Sequence, residues 1–234
     1  MKDNLLPFNN TELLEAFSEK EGSINKHLLI LYSLAIGLFA QRTIELGIGN
    51  STRALRAAIK ITGGKLFSCD IDKSRFANWL EKQDEHWSLD LCNSKEFLLS
   101  LTPPFDFALH DAAHDYWQVV EDLKNIIPLM KRYGIICLHD TQHSEIGIQM
   151  VHAISDAVKG CNVSYVHLPF SYGLTIMRIE ESDNPPLVTP WNKGGKAQTN
   201  CFSNPLVSAD DFSNHNKYYL FDWVKNKIKD FIKF

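Results

Sequence analysis

The sequence predicts an α/β fold in which a mostly parallel sheet is closed by one antiparallel hairpin. Apolar runs of strand length alternate with helical patterns over residues 43–159. This alternation is typical of parallel strands with helices on both faces of the sheet. The last two strand-like runs, Val163–Leu168 and Leu174–Ile179, are separated only by P-F-S-Y-G. Because a parallel crossover needs a dozen or more residues, this final pair must be a hairpin.

The predicted elements follow one another in regular order along the chain. Two helical patterns in residues 10–40 precede the alternating region. The predicted strands of that region are 43–47, 65–70, 86–90, 105–110 and 134–139, and the predicted helices are 51–61, 73–82, 94–101, 116–131 and 146–159. The chain therefore divides into an N-terminal helical segment (1–40), a central α/β domain (41–180) and a C-terminal arm with a helix (181–234).

The composition narrows the class of protein. A chain of 234 residues with 44% hydrophobic content is expected to form one medium domain with a full core. With 24 basic and 28 acidic residues, it carries no electrostatic signature of nucleic-acid binding. Five cysteines without a C-x-x-C pair indicate buried free thiols in a reducing compartment. The sequence has no signal-peptide pattern and no apolar stretch of transmembrane length, so we expect a cytoplasmic protein.

The C-terminal residues have a different composition from the central domain. Residues 181–217 are rich in Pro, Gly and Asn, which is typical of an extended arm. Residues 218–234 have the apolar spacing of an amphipathic helix, with lysines on the other face. This helix is predicted to pack on its own domain or on a second subunit, which would make a homo-oligomer. Binding to a membrane surface is the alternative.

The stretch T-I-E-L-G-I-G-N-S-T is the most informative motif. It has the pattern of a buried strand with Glu45 near its end, a turn with Gly47 and Gly49, and the start of a helix near Ser51. The two glycines permit backbone angles that other residues avoid and let a ligand approach the main chain closely. Free amides at the helix start add hydrogen-bond donors. The motif therefore predicts a site for a small nucleoside-bearing ligand.

The following motifs narrow the choice of nucleoside. A dinucleotide fingerprint would carry a third glycine where this chain has Thr52. Asp70, about twenty residues after the glycines, ends the second strand where a carboxylate can accept hydrogen bonds from ribose hydroxyls. Its alternative role is to cap the next helix, although Asp72 is better placed for that cap. Asn93 and Ser94 end the third strand, where they can meet an adenine edge. Asn93 is equally suited to cap the following helix.

Five segments together resemble a known family. In order and spacing, E-L-G-I-G-N-S, C-D-I-D, C-N-S-K-E-F-L, F-D-F-A-L-H-D-A-A-H-D-Y and G-I-I-C-L-H-D-T are similar to class I S-adenosylmethionine-dependent methyltransferases. More narrowly, they resemble the small O-methyltransferase-like group called methyltransferase family 24. The resemblance covers residues 28–180. It implies a Rossmann-like three-layer sandwich whose seven strands have the order 3-2-1-4-5-7-6, with strand 7 antiparallel.

The resemblance also implies where S-adenosylmethionine (SAM) binds, which is across the C-terminal edges of strands 1, 2 and 4. The residues that it assigns to the methionine and sulfonium part are Glu45, Gly47, Gly49 and Ser51. Asp70 would hold the ribose hydroxyls, while Asn93 and Ser94 would border the adenine. Many members have a third glycine where this chain has Ser51, so the local conformation of the turn stays open.

Two L-H-D tripeptides close strands that should be neighbours. Asp111 and Asp140 would then reach the same edge of the sheet, where two carboxylates can hold a hard divalent cation. In the catechol-type and macrocin-type O-methyltransferases that this region resembles, carboxylates at these strand ends bind Mg²⁺, which lowers the pKa of a substrate hydroxyl. Those relatives usually have Asn or Asp at the next position, but this chain has Thr141. Alternatively, Asp111 contacts the amino group of the cofactor and Asp140 caps a helix.

His114, in D-A-A-H-D-Y, is the predicted general base. A histidine of near-neutral pKa can take the proton of a hydroxyl group, and relatives often have Lys or His here. With Asp111 it forms the predicted catalytic pair, although a surface histidine on the turn is the competing interpretation. His139 is either a substrate or metal-adjacent group, or a histidine bonded to a backbone carbonyl.

These residues predict transfer of a methyl group from SAM to a hydroxyl oxygen of a small molecule, with Mg²⁺ as a candidate cofactor. An NAD(P)-dependent oxidoreductase is one alternative, and Thr52 argues against it. A non-catalytic cofactor-binding module of the same fold is the other. The motifs do not identify the acceptor, since one fold serves many substrates.

Overall fold

The computed structural model describes residues 11–18, 23–80 and 82–180. Within these residues the strands are β1 (Arg42–Leu46), β2 (Lys65–Asp70), β3 (Trp87–Leu91), β4 (Phe105–His110), β5 (Met130–His139), β6 (Val163–Leu168) and β7 (Leu174–Ile179). The α-helices are α1 (Thr11–Ser18), α2 (Leu28–Gly37), α3 (Asn50–Thr62), α4 (Lys73–Leu80), α5 (Ser94–Ser100), α6 (Tyr116–Ile126) and α7 (Gly147–Ala157). Short 3₁₀ helices cover Ser23–His27 and Ile127–Leu129. The arm and helix expected in residues 181–234 lie outside the described residues.

The strands form one seven-stranded sheet in the order β3-β2-β1-β4-β5-β7-β6. The strand pairs from β3 to β5 are parallel, whereas β7 is antiparallel to both β5 and β6. The predicted hairpin and the strand order are therefore confirmed. The carboxyl ends of β1, β2 and β4 lie side by side, since Leu46 pairs with both Cys69 and His110.

Successive side chains of the strands point into two separate cores, as the alternation of a pleated sheet requires. Ile44, Ala108 and Ile136 belong to the core shared with α5, α6 and α7. Leu109 and Cys137 belong to the core shared with α2 and α3. These two layers around the sheet give the predicted three-layer sandwich, and they leave the carboxyl ends of the strands free to carry a site.

Two predicted boundaries were wrong. The helix expected over 116–131 ends at Ile126, and the strand expected from residue 134 begins at Met130. Pro128 explains both changes, because a proline has no amide hydrogen with which to continue a helix. The chain therefore passes through a short 3₁₀ helix into β5, whose pairing with β4 shifts register between Phe105 and Phe107.

No disulfide joins the cysteines of the described residues. Cys69, Cys137 and Cys161 are buried and Cys92 is half-buried. Burial raises the pKa of the Cys69 and Cys137 thiols, which keeps them protonated and unreactive. Among the helices that the structure describes, none has the length and apolar character needed to cross a bilayer.

Candidate functional site

The turn after β1 is fixed to the ends of both neighbouring strands. The Gly47 amide donates to the Cys69 carbonyl at 2.9 Å, and the Asp111 amide donates to the Leu46 carbonyl at 2.9 Å. Gly47 has φ +83°, and a Cβ added there would lie 2.1 Å from the Asp111 carbonyl oxygen. Gly49 differs, because its backbone is extended and a Cβ there would meet nothing within 4 Å. The fold therefore requires Gly47, whereas the space above Gly49 is open to a ligand.

Glu45 lies beneath this turn in a cage of hydroxyl groups. Its carboxylate accepts hydrogen bonds from Ser51 Oγ at 2.8 Å, Thr52 Oγ1 at 3.0 Å and Ser68 Oγ at 2.7 Å. The Thr52 hydroxyl in turn accepts from the Gly49 amide at 3.0 Å. Glu45, Ser51, Thr52 and Ser68 are all buried. Glu45 thus ties the glycine turn to the start of α3, and its predicted contact with a ligand, like that of Ser51, stays a prediction.

The burial of Glu45 has a consequence for stability. Desolvation raises the pKa of its carboxyl to about 7, although the three hydroxyls oppose the shift. Between the unfolded pKa and about 7, the folded chain binds the extra proton, so its stability falls as pH rises through this window. In the wild type, this titration should lower the free energy of unfolding by about 3 kcal/mol between pH 5 and pH 8. We expect Glu45→Gln to abolish that decrease. Urea unfolding of both proteins at several pH values measures the difference.

A control separates this effect from the titration of other groups. Glu96→Gln changes an exposed carboxyl on α5, and its unfolding free energy should follow that of the wild type at every pH. Parallel curves for Glu45→Gln and the wild type would instead mean that Glu45 keeps the same charge in both states across this range.

Asp70 joins the glycine turn to the loop after β2. Its Oδ2 accepts from the Ile48 amide at 3.0 Å and its Oδ1 accepts from the Asp72 amide at 2.7 Å. Asp72, rather than Asp70, caps α4 through the Ser74 and Arg75 amides, as expected. Asp70 therefore lies at the edge of the turn as a buried carboxylate, and ribose binding stays its predicted role.

The residues that follow β3 cap the next helix and join a buried hydrogen-bond network. Asn93 Oδ1 caps α5 by accepting from the Glu96 amide at 2.9 Å, so the alternative raised for Asn93 is realised. Ser94 Oγ donates to Asp122 Oδ1 at 2.7 Å, and Asp122 Oδ2 lies 3.0 Å from His110 Nε2. Asp122 was not among the predicted site residues, although an aspartate on the apolar face of α6 is a signal of a buried polar contact. Adenine contacts by Asn93 and Ser94 stay predictions.

The two L-H-D tripeptides bring the carboxylates of Asp111 and Asp140 and the imidazole of His139 together, and His114 joins them from the turn after β4. His139 Nδ1 lies 3.0 Å from Asp111 Oδ1 and 3.2 Å from Asp140 Oδ1. His114 Nε2 lies 3.4 Å from Asp140 Oδ2 and 3.8 Å from Asp111 Oδ1. One ligand atom from each of Asp111, His139 and Asp140 falls within 4.8 Å of the other two. Asp140 has φ +60°, a left-handed conformation that aspartate adopts more readily than most other non-glycine residues.

The groups of this cluster shift one another's protonation. Burial raises the pKa of the Asp111 carboxyl, but contacts with His114 and His139 lower it well below its usual range. Burial lowers the pKa of His139, but its hydrogen bond to Asp111 and the charges of Asp111 and Asp140 raise it overall. The cluster is therefore a place where a positive charge is stabilised.

A histidine that the sequence analysis did not single out borders this cluster. His27, at the end of the first 3₁₀ helix, is buried, and its ring centre lies 5.4 Å from that of His139. His27 Nε2 lies 3.2 Å from the Ser171 carbonyl oxygen, and its ring lies 4.8 Å from that of Phe170. His27 thus contacts the loop between β6 and β7, in which the side chains of Phe170 and Tyr172 are half-exposed.

The fold and this edge of the sheet together define the class. A seven-stranded sheet of this order, with β7 antiparallel and a glycine turn after β1, is the class I methyltransferase fold. Residues 44–141 match the family model described as "Methyltransferase domain", which is methyltransferase family 24. The match covers residues 44–141 of the 234 and supports the resemblance to class I methyltransferases. No curated protein matches the sequence.

Solved structures support the same fold at low sequence identity. The chain is similar to an O-methyltransferase from Bacillus cereus in complex with SAH (S-adenosylhomocysteine), with a TM-score of 0.58, 15% identity, and 76% of this chain and 94% of that chain covered. It is also similar to an SAH-bound methyltransferase from Podospora anserina, with a TM-score of 0.57 and 16% identity. That match covers 77% of this chain and 100% of that chain. An N-methyltransferase from Bradyrhizobium japonicum matches with a TM-score of 0.50 and 16% identity, over 75% of this chain and 100% of that chain. The relatives thus share the fold and differ in the atom that they methylate.

Proposed function

We propose that the protein transfers a methyl group from SAM to a hydroxyl oxygen of a small molecule at the cluster of Asp111, His114, His139 and Asp140. The juxtaposition of a candidate base, His114 Nε2, with two carboxylates at 3.4 and 3.8 Å carries this proposal. Oxygen acceptors need a proton removed as the methyl group arrives, and this cluster stabilises the resulting positive charge. The SAH-bound O-methyltransferase of the same fold supports the choice of cofactor and acceptor atom.

The glycine turn is the proposed cofactor side of the site. The open space above Gly49 and the carboxylate of Asp70 lie on this side, and both were assigned to SAM by the resemblance. SAM supplies a methyl group bound to a positively charged sulfur. Glu45 holds the turn in shape from below through Ser51 and Thr52, so its contribution is to position the cradle.

The proposed reaction is an in-line displacement. The acceptor oxygen forms a bond to the methyl carbon while the carbon–sulfur bond breaks and its electron pair stays on sulfur, which leaves SAH. The hydroxyl proton passes to His114 Nε2, and the carboxylates of Asp111 and Asp140 stabilise the imidazolium. The chain's other contributions are to orient the two substrates and to exclude water.

The residues present fit a divalent cation. Asp111, His139 and Asp140 offer three ligand atoms close together, and the buried His114 Nε2 has no hydrogen-bond partner. A cation there would lower the pKa of the substrate hydroxyl. Thr141, whose buried Oγ1 also has no hydrogen-bond partner, stands where relatives carry a further ligand.

The proposal is tested by methyl transfer from labelled SAM to a panel of small hydroxyl compounds. We expect His114→Ala to lower the rate by about 100-fold or more with the best acceptor, because proton removal is lost. His152→Ala, a change of an exposed histidine on α7, should leave the rate unchanged. Titration with SAH and with NADPH tests the cofactor, and SAH is expected to bind.

Three results would count against the proposal. Binding of NADPH but not SAH would favour the oxidoreductase. Binding of SAH, with His114→Ala as active as the wild type, would remove His114 as the base. Full activity after dialysis against a chelator would remove the cation from the reaction.

A further inference from the structure

The candidate cation centre differs from an all-oxygen site because one of its three ligand atoms is a nitrogen, which lies between the two carboxylates. His139 Nδ1 lies within 3.2 Å of oxygens of both Asp111 and Asp140. With bonds of about 2.1 Å, adjacent ligands of one octahedral ion are about 3 Å apart, so these separations match a shared ion.

The imidazole of His139 is buried and packed against a neighbouring ring. Its side chain is 2% exposed, and its ring packs edge-on against His27. His139 is also the last residue of β5, where its backbone pairs with Leu174 of β7. The Nδ1 atom is therefore presented to the carboxylates by packing and by the strand, and a cation that binds there must accept a nitrogen ligand.

The type of ligand determines the preferred ion. Mg²⁺ and Ca²⁺ prefer oxygen ligands, whereas imidazole nitrogen suits divalent transition metals. Next to the centre, Thr141 offers only a hydroxyl where an amide or carboxylate would favour Mg²⁺. We propose that the centre formed by Asp111, His139 and Asp140 binds a divalent transition-metal ion that accepts imidazole nitrogen, such as Zn²⁺, in preference to Mg²⁺. This inference rests on the cation site of the proposed function and departs from the Mg²⁺ expected by resemblance.

The test measures metal binding by the full chain, without SAM or an acceptor. After removal of metals with a chelator, calorimetric titrations with Zn²⁺, Mn²⁺ and Mg²⁺ give three dissociation constants. We expect Zn²⁺ to bind at least about 100-fold more tightly than Mg²⁺, with Mn²⁺ between the two. His139→Gln replaces the nitrogen with an amide, and it should weaken Zn²⁺ at least about 10-fold while changing Mg²⁺ much less. His139→Asp makes all three metal-coordinating atoms oxygens, and it should lower the ratio of Zn²⁺ affinity to Mg²⁺ affinity further.

Controls locate the binding and keep the result interpretable. Asp111→Asn should abolish tight binding, while His152→Ala, at an exposed histidine, should leave all three constants unchanged. Thermal unfolding with and without Zn²⁺ shows whether each variant is folded, and the EPR spectrum of bound Mn²⁺ reports the site independently of stability.

Several outcomes would overturn the inference. One is equal affinity for Mg²⁺ and Zn²⁺, and another is an equal loss of affinity for all three ions in His139→Gln. The others are Zn²⁺ binding that survives Asp111→Asn and no binding of any ion. Because no turnover is measured, a failure of methyl transfer with the expected metal affinities would reject the proposed reaction and leave this inference intact.

Discussion

Gly47→Ala is expected to lower the free energy of unfolding by about 3 kcal/mol or more. Alanine at φ +83° costs about 1–2 kcal/mol. In addition, its Cβ would lie 2.1 Å from the Asp111 carbonyl oxygen, so the backbone of β4 or of the turn must move. That movement would also break the Asp111–Leu46 hydrogen bond and distort the proposed cofactor cradle. Urea unfolding measures the loss of stability, and titration with SAH should show loss of binding.

Gly49→Ala is the matched control, two residues away. Its backbone is extended and the space above it is open, so stability should change by less than about 1 kcal/mol. If SAM lies over this turn, the added methyl group should weaken SAH at least about 10-fold. A Gly47→Ala protein as stable as the wild type would contradict the close contact with Asp111. Unchanged SAH affinity in Gly49→Ala would contradict the placement of the cofactor.

Asp122→Ala is expected to cost about 3–5 kcal/mol. Asp122 and His110 are fully buried, 3.0 Å apart. Burial raises the pKa of Asp122, but its hydrogen bonds to His110, Ser94 and Gln118 lower it overall, so its carboxylate is charged. Removing it leaves His110 and Ser94 without this acceptor inside the protein, whereas Gln118 keeps its hydrogen bond to Ser94 Oγ. Chemical denaturation followed by circular dichroism measures the change.

Asp115→Ala provides the comparison on the same helix. Asp115 caps α6 by accepting from the Gln118 amide at 3.1 Å, and loss of such a cap costs about 1 kcal/mol. The buried aspartate should therefore matter several times more than the exposed one. If the two variants lose the same stability, the network of Asp122, His110 and Ser94 contributes no more than an ordinary helix cap.

Most of the architecture could be predicted because the pattern of apolar runs reports the sheet directly. The five residues between β6 and β7 were sufficient to predict an antiparallel pair, and the alternation before them indicated parallel strands. The transition from α6 to β5 could not be placed as well. There, apolar residues suit a helix or a strand equally, and Pro128 together with pairing to β4 decides the outcome.

The site was predictable where strand ends determine position, and less so where side chains choose their partners. Asp111 and Asp140 meet because β4 and β5 are neighbours, and His114 follows one of them closely in the chain. The hydroxyls around Glu45 come from α3 and β2, so only the packed structure shows that they share one carboxylate. His27 approaches from the N-terminal segment, 112 residues before His139, and no local motif connects the two.

Asp111 is a single residue that belongs to both halves of the proposed site. Its carbonyl oxygen rests against Gly47 in the turn assigned to the cofactor, while its carboxylate belongs to the centre assigned to the cation. A cofactor that moves the turn therefore also moves the Asp111 carboxylate, which is an anionic group of that centre. Thermodynamic linkage makes such an effect reciprocal, so occupancy of either side changes the affinity of the other by the same factor. The contact that forbids a side chain at Gly47 is thus also a route for cooperativity.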